Sequence, residues 1–444
     1  MSIAQTADRA TMRTAAEEAI LARLPDAKAR QNHWGNPAIA KQRDEARAIL
    51  TAQGLPTRRV EDWKYTDLRT LMREASEPFA DATREMVAEA EKAESAYKLA
   101  GATRVLFVNG RCFATLKEDG FAFGSLANND DLGPRMQEAL SRRRDHANNV
   151  AVALNTLFIG DVTLIRIPAR TALEKPLHLD FRNVGSQPFA ANARVQIVVE
   201  EGASAAILET HQGPNGLAYQ SNVVVEIDLG AGARLEHVRI DGSGDKALSL
   251  STQGTRLDRD AQFDSLSVVT GAAVSRHQPF LTFAGPHANA NIRGAIMQKG
   301  RQHADCTLIA DHRAPNCTSR ETFKTVLDDE ARGVFQGKIV VAQAAQKTDG
   351  KMAAHALLLS EDAEANSKPE LEIFADDVVC GHGATVGALD KTLLFYLRAR
   401  GLPEKEAQAL LIEAFVGEAI EPVVHDGLRD IAVAAAHRWL ATRG

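Results

Sequence analysis

Between about residue 160 and residue 385 the sequence loses its helical period and becomes a succession of short β-branched runs. They read VTLIRI, RVQIVVE, SAAILET, NVVVEIDL, RLEHVRI, FDSLSVV, TLIA, GKIVV, HALLLS and LEIFADDVV. Turns of one kind precede many of them: EGA at Glu201, AGA at Ala231, RDA at Arg259, PHA at Pro286, DEA at Asp329 and EDA at Glu361. The intervals run at about 30 residues, the range in which stacked repeats recur. One interval is larger, and His303-Ala304 is expected to mark an additional turn within it. Short strands at a loose fixed period, with polar turns and no helices between them, predict a stacked β-solenoid, a mainly β fold built on a right-handed parallel β-helix. A β-sandwich has similar strand spacing and stands as the alternative, but it gives no reason for one turn type to recur over so long a stretch.

The flanks are helical. Pro37 opens a segment with Ala40, Ala46, Ile49 and Leu50 at helix-like spacing, and Gly54 with Pro56 ends it. RVLFVNGRCFATL (Arg104 to Leu116) reads as a β-hairpin with Asn109-Gly110 as its two-residue turn. After the β region, Asp390 is placed to cap KTLLFYLRAR, and Gly401 and Pro403 punctuate. EKEAQALLIEAFVGEAI then carries Ala407, Leu410, Leu411, Ala414 and Phe415 on one stripe, and a last helix is expected from Asp426 to Thr442. The expected organisation is a mainly helical region over 1–160, a β-helix core over 161–385 and a helical region over 386–444. The last could cap the exposed edge of the coil or serve as a docking platform.

At 444 residues and 45% hydrophobic content the chain can bury a large core. Its net charge of −6 gives no basic patch for nucleic acid or an acidic membrane. The N-terminus mixes acids and bases without an apolar stretch, which argues against a signal or transit peptide. No run approaches a membrane span. The expectation is a soluble cytoplasmic protein with no nucleic-acid or membrane partner. Its four cysteines, Cys112, Cys306, Cys317 and Cys380, are widely spaced and are expected to be reduced.

Common catalytic signatures are missing: there is no G-x-S-x-G, no H-E-x-x-H and no G-x-G-x-x-G after a strand. Gly333-Val-Phe-Gln-Gly337-Lys338-Ile339 superficially resembles a phosphate loop, but one residue is missing between the glycines and Ile339 stands where a hydroxyl is needed. Two groups of sulfur and imidazole remain. Cys306, Asp311, His312 and Cys317 within DCTLIADHRAPNC are of ligand type, though their spacing matches no compact metal knuckle. In Cys380-Gly381-His382 an extended backbone puts thiol and imidazole on one face of a strand. Two ligands do not complete a site, so further groups must come from elsewhere in the fold or from a partner. For both groups the plain alternative is a buried thiol and a hydrogen-bonded histidine.

The segments DHRAPNCTSRETFKTVLDDEARGVFQGKIVVAQAAQKTDG and LLLSEDAEANSKPELEIFADDVVCGHGATVGALDKTLLFYLRARGL resemble the shared core of the SufB/SufD family, scaffold subunits of the Suf iron–sulfur assembly machine. RRVEDWKYTDLR at 58–69 resembles the N-terminal signature of the SufD branch, and the first 111 residues lack the cysteines expected of SufB. The resemblance implies a scaffold that is not itself an enzyme. It would pair through its β-helix with a SufB-like subunit and bind a SufC-like ABC ATPase through about residues 386–444. A nascent iron–sulfur cluster or iron would be held transiently at the subunit interface by His382, with Cys380 beside it. It leaves room for a reduced flavin in the complex and for a homodimer of the isolated chain. The competing readings are a β-helix polysaccharide lyase or hydrolase and a purely structural solenoid. The single tyrosine of the β region, Tyr219, and its lack of tryptophan speak against a sugar-binding groove.

Overall fold

The computed structural model describes residues 13–25, 37–78, 82–92, 96–114, 120–128, 130, 132–142 and 144–443. Among them, successive strands from Thr163 to Ala388 alternate between two sheets, so each strand's neighbours lie two strands away in the chain. One sheet runs from the hairpin near Thr103 to the strand Val379–Ala388, the other from Ala122–Ser125 to Glu364–Ile373. All pairings within this stretch are parallel. Register fixes the coil's length: Leu248 faces Val274 and Arg332 faces Glu364, so one turn of the coil takes about 26 to 32 residues. This is the expected parallel solenoid.

The recurring turn motif has a physical cause. In EGA, AGA and RDA the second residue takes a positive φ (Gly202 65°, Gly232 64°, Asp260 58°), and the alanine amide closes a tight turn to the carbonyl three residues back. The alanines of all six motifs, Ala203, Ala233, Ala261, Ala288, Ala331 and Ala363, are buried, because the chain re-enters the coil there and only a small side chain fits. The extra turn does not fall at His303-Ala304, which begin the strand His303–His312. It lies at Gly300-Arg301. The larger interval arises because the motifs at 201–286 follow strands of one sheet while those at 329 and 361 follow strands of the other. The series changes corner by half a turn of coil.

The coil interior is one apolar column, including Ile197, Val225, Phe263, Phe283, Cys306, Phe323, Ile339 and Met352. Over most of the coil both outer faces are also covered, which is why residues of both parities are buried along strands such as Gln220–Leu229 and Leu248–Leu257. The N-terminal helices, with Trp63 and Leu154, cover Leu248 and Leu250 of one sheet. Glu404–Ile420 and Asp426–Ala441 pack across Val238, Leu266, Ala295 and Val326 of the other. The buried stripe of Glu404–Ile420 is Ala407, Ile412, Val416, Ala419 and Ile420. Leu410 and Ala414 face out, because the helix is rolled toward the sheet and its neighbouring helix. In Pro37–Gln53 the buried positions are Ile39, Ala46 and Leu50, with Ala40 exposed. Gly54 ends that helix at φ 61°, and Asp390 caps Lys391–Ala399 through the amides of Thr392 and Leu393.

The segment around Trp63 is strapped onto the coil. The buried Arg276 guanidinium stacks on the Trp63 ring at 3.9 Å, donates to the Asp62 carbonyl at 2.5 Å and pairs with Asp305. Thr66 donates to the same Asp305 carboxylate and lies 2.9 Å from His303 Nε2. Gln336 adds a bond to the Asp62 carbonyl at 3.2 Å. Arg276 and Asp305 have fully buried side chains, so each satisfies a charge the other could not leave unpaired.

The two ends of the coil differ. At the start, the expected hairpin is present: Phe107 faces Cys112, and Asn109 and Gly110 take φ of 50° and 86°. Leu116 lies outside the described residues. Thr103–Val108 also pairs in parallel with Leu177–Arg182, while Ala122–Ser125 closes the other sheet in antiparallel fashion. At the finish, Glu364–Ile373 and Val379–Ala388 are the last strands of their sheets.

Candidate functional site at the open end of the coil

Cys380 and His382 lie on the last strand, Val379–Ala388. Their ladder partners on Asp349–Leu358 are Gly350 and Met352, and Met352 belongs to the interior column. The strand's two-residue period therefore turns Cys380 and His382 toward the axis of the coil. Cys380 packs against the end of that column and is half-buried, whereas His382 is exposed although it faces inward, since no further turn of coil lies over it. Burial pushes the Cys380 thiol up, so it becomes a thiolate only when a base takes its proton or a bound cation displaces it to solvent.

The rim around this pair is apolar. Phe374 is 64% exposed, Val379 62% and Val386 53%, and Leu393, Phe395 and Tyr396 extend the surface onto the helix Lys391–Ala399. The helices after residue 390 do not cap the last layer, since their buried faces lie on the outer side of the sheet. Two ten-residue edge strands and an apolar rim form a surface suited to another protein.

The second group of ligand-type residues is spread out. Cys306 and His312 lie six residues apart on one strand, about 20 Å, too far to share one ion. The Cys306 thiol is held far up by burial between His277 and Phe335 in the ladder. His312 stacks on Phe283 at 4.0 Å, bonds Ser319 at 3.1 Å, and burial lowers its pKa to about 4. Cys317 contacts the Gly285 carbonyl at 3.3 Å, and Asp311 pairs with Arg313. Among the described residues no three His, Cys, Asp or Glu side chains are gathered so that they could hold a metal ion. The remaining thiol, Cys112, sits in the hairpin with its pKa pushed up to about 11 by burial. The phosphate-loop look-alike around Gly337 lies within the strand Arg332–Val341. Tyr219 is buried, accepting from the Gly244 amide at 2.9 Å, and offers no sugar platform.

One inward residue has no sequence counterpart in these groups. Glu321, on the strand Thr318–Leu327, points into the coil beneath Met352 and is fully buried. It shares the inward parity of Ser319 and Phe323, and a charge on that parity is the signal by which it could have been found.

Known proteins agree with this architecture. A family profile described as "SUF system FeS cluster assembly, SufBD core domain" matches residues 181–415, and one described as "SufBD protein N-terminal region" matches 23–179. The chain is 31% identical to the iron-sulfur cluster assembly protein SufD of Escherichia coli, over 87% of this chain and 89% of that protein. It is likewise 31% identical to an iron-sulfur cluster assembly SufBD family protein of Synechocystis, over 87% of each. Identity to the chloroplastic protein ABCI7 of Arabidopsis thaliana is 27%, over 89% of this chain and 84% of that one. With two profiles spanning nearly its whole length and a coil of the expected form, the chain belongs to the SufBD family.

Proposed function

We propose that the chain is a SufD-like scaffold subunit on which iron–sulfur clusters are assembled, working with a SufB-like subunit and a SufC-like ATPase. The observation that carries the site is the placing of Cys380 and His382 on the inner face of an unpaired edge strand. A thiolate and an imidazole make half of a cluster site. A second coil docked against the same edge would extend both sheets and bring the missing ligands over the open end.

An incomplete site suits a transient cargo. Iron or a nascent cluster held by groups from two chains is released when the chains move apart, whereas four ligands in one chain would retain it. ATP hydrolysis on the SufC-like subunit, docked on the helices after residue 386, would supply that movement, and this chain would carry no catalysis of its own. A reduced flavin would bind elsewhere in the complex. The isolated chain, with the same edge free, would pair with a second copy of itself. Among the described residues no helix is long and apolar enough to cross a membrane.

The test is co-expression with the SufB and SufC counterparts, comparing wild type with His382→Ala. The complex should form in both, while cluster maturation in cells should fall several-fold in the variant. Unchanged maturation would remove His382 from the site, and failure to recover a ternary complex would remove the scaffold reading.

A further inference from the structure

Far from the open end, Arg142, Arg144, Asp145 and His146 lie across the outer face of Gln220–Leu229, Leu248–Leu257 and Val274–Phe283. His146 rests on Gly254, where a methyl group would come within 2.3 Å of its ring and 2.6 Å of the Glu226 carboxylate. That carboxylate meets His146 Nε2 at 2.8 Å, and the His146 ring stacks on Phe280 at 5.1 Å. Two residues beyond Gly254 and on the same face, Arg256 stands in the ladder between Asp228 and Thr282. Both neighbours are already engaged. Asp228 pairs with Arg142 and, at 2.6 Å, with Arg144, while Thr282 donates to Asp145 at 3.0 Å.

Arg256 is left over. Among the described residues no carboxylate comes within ion-pair distance of it, and its Nη1 is buried without an acceptor. Burial and then the Arg142 charge pull its pKa down, while Asp258, Asp228 and Glu138 oppose from beyond contact. Beside it opens a groove of about 380 Å³. The described lining carries four guanidinium groups, Arg142, Arg144, Arg256 and Arg313, against one carboxylate, Asp145. Asp145 is itself held by Arg313 at 2.8 Å. Phe280 forms part of the wall.

A desolvated guanidinium without a counter-ion weakens a fold, and a residue that only covered the sheet would not need the charge. The groove has the size of a small-molecule site, and its excess of forked donors suits the oxygens of a dianion. We propose that this groove binds a small phosphate-bearing molecule, with Arg256 holding the phosphoryl group, Arg313 at the mouth and Phe280 against the ligand's apolar body. Arg142 and Arg144 keep their carboxylates and add their field. The site is separate from Cys380 and His382, because His303–His312 and Arg332–Val341 stand between these strands and the edge strand Glu364–Ile373.

The test is calorimetric titration of the purified full chain at low ionic strength with phenyl phosphate, inorganic phosphate and benzoate. Phenyl phosphate should bind with a dissociation constant below about 1 mM, and more tightly than inorganic phosphate, which has no body to meet Phe280. Benzoate, with a single charge, should bind about fivefold more weakly or worse. Arg256→Gln should weaken phenyl phosphate by about tenfold or more with Tm no lower than wild type, since it removes an unpartnered charge. Arg256→Lys should recover part of the affinity. Arg313→Gln, at a side chain 46% exposed, should weaken binding by about threefold or more, and reports independently of any folding defect at Arg256. No phenyl phosphate binding to wild type overturns the proposal, as does wild-type affinity in Arg256→Gln, or in Arg313→Gln should the former misfold. Benzoate binding as tightly as phenyl phosphate overturns the phosphate chemistry.

Discussion

Replacing Glu321 by methionine should stabilise the protein, and should do so more at high pH than at low. Burial raises the carboxyl pKa from 4.5 to about 8 in the folded chain. The folded state therefore holds its proton across a range in which the unfolded chain has lost it. Stability from this group is complete below the unfolded value and drains away as pH rises toward the folded value. At about 1.4 kcal/mol per unit, the loss reaches ~3 kcal/mol at neutral pH and ~5 kcal/mol above pH 8. Methionine keeps the volume and removes both the titration and the unpartnered oxygens, a further gain of about 1–3 kcal/mol at any pH. The measurement is thermal unfolding of wild type and Glu321→Met, metal-free, at pH 5, 6.5 and 8. An unfolding entropy of about 2 cal/mol/K per residue converts 1 kcal/mol into roughly 1 °C for a chain of this size. The variant's advantage in Tm should then widen by about 4 °C from pH 5 to pH 8. Two curves that stay parallel across this range would show that Glu321 is not buried as an unpartnered acid.

Three other outcomes follow from contacts described above. Asp305→Ala strands the Arg276 guanidinium, and should cost about 3–5 kcal/mol, seen as a lower Tm and faster proteolysis near Trp63. Gly110→Ala places a Cβ 2.3 Å from the Asn192 carbonyl at φ 86°, and should destabilise the start of the coil by about 1–3 kcal/mol in thermal unfolding. Val379→Lys with Val386→Lys puts charge on the free edge. It should abolish any self-association of the isolated chain in light scattering, and should leave Tm within about 1 °C, because both side chains are already exposed.

The coil was legible because one turn type, closed each time by an alanine, recurs along the chain, for which a β-sandwich gives no reason. The position of the extra turn was misplaced for a definite reason. Turns occur at two corners, and a single series read along the chain jumps from one to the other between Pro286 and Asp329. The helical stripe after Glu404 was displaced because its apolar residues go nearly all round, so only the sheet it rests on decides which are buried. RRVEDWKYTDLR was legible as a signature but not as a clamp, since its partners Arg276, Asp305 and Gln336 are more than 200 residues away. Cys380 and His382 were placed on one face by strand parity alone. That this face is the inside of a coil at its last turn, and that Glu321 lies beneath it, depends on how turns of coil stack and on which of them comes last.

The unlike ends of the solenoid have a consequence for assembly. Among the described residues the finishing end presents two ten-residue edge strands, whereas the starting end closes on the short antiparallel strands Arg111–Cys112 and Ala122–Ser125. A β-solenoid with both ends free could add copies indefinitely, as fibres do. A molecule whose long edges all lie at one end would, once paired there, leave only short antiparallel strands to template further addition. If pairing occurs through the long edges, growth would be disfavoured beyond two coils, and Cys380 and His382 would lie at the junction.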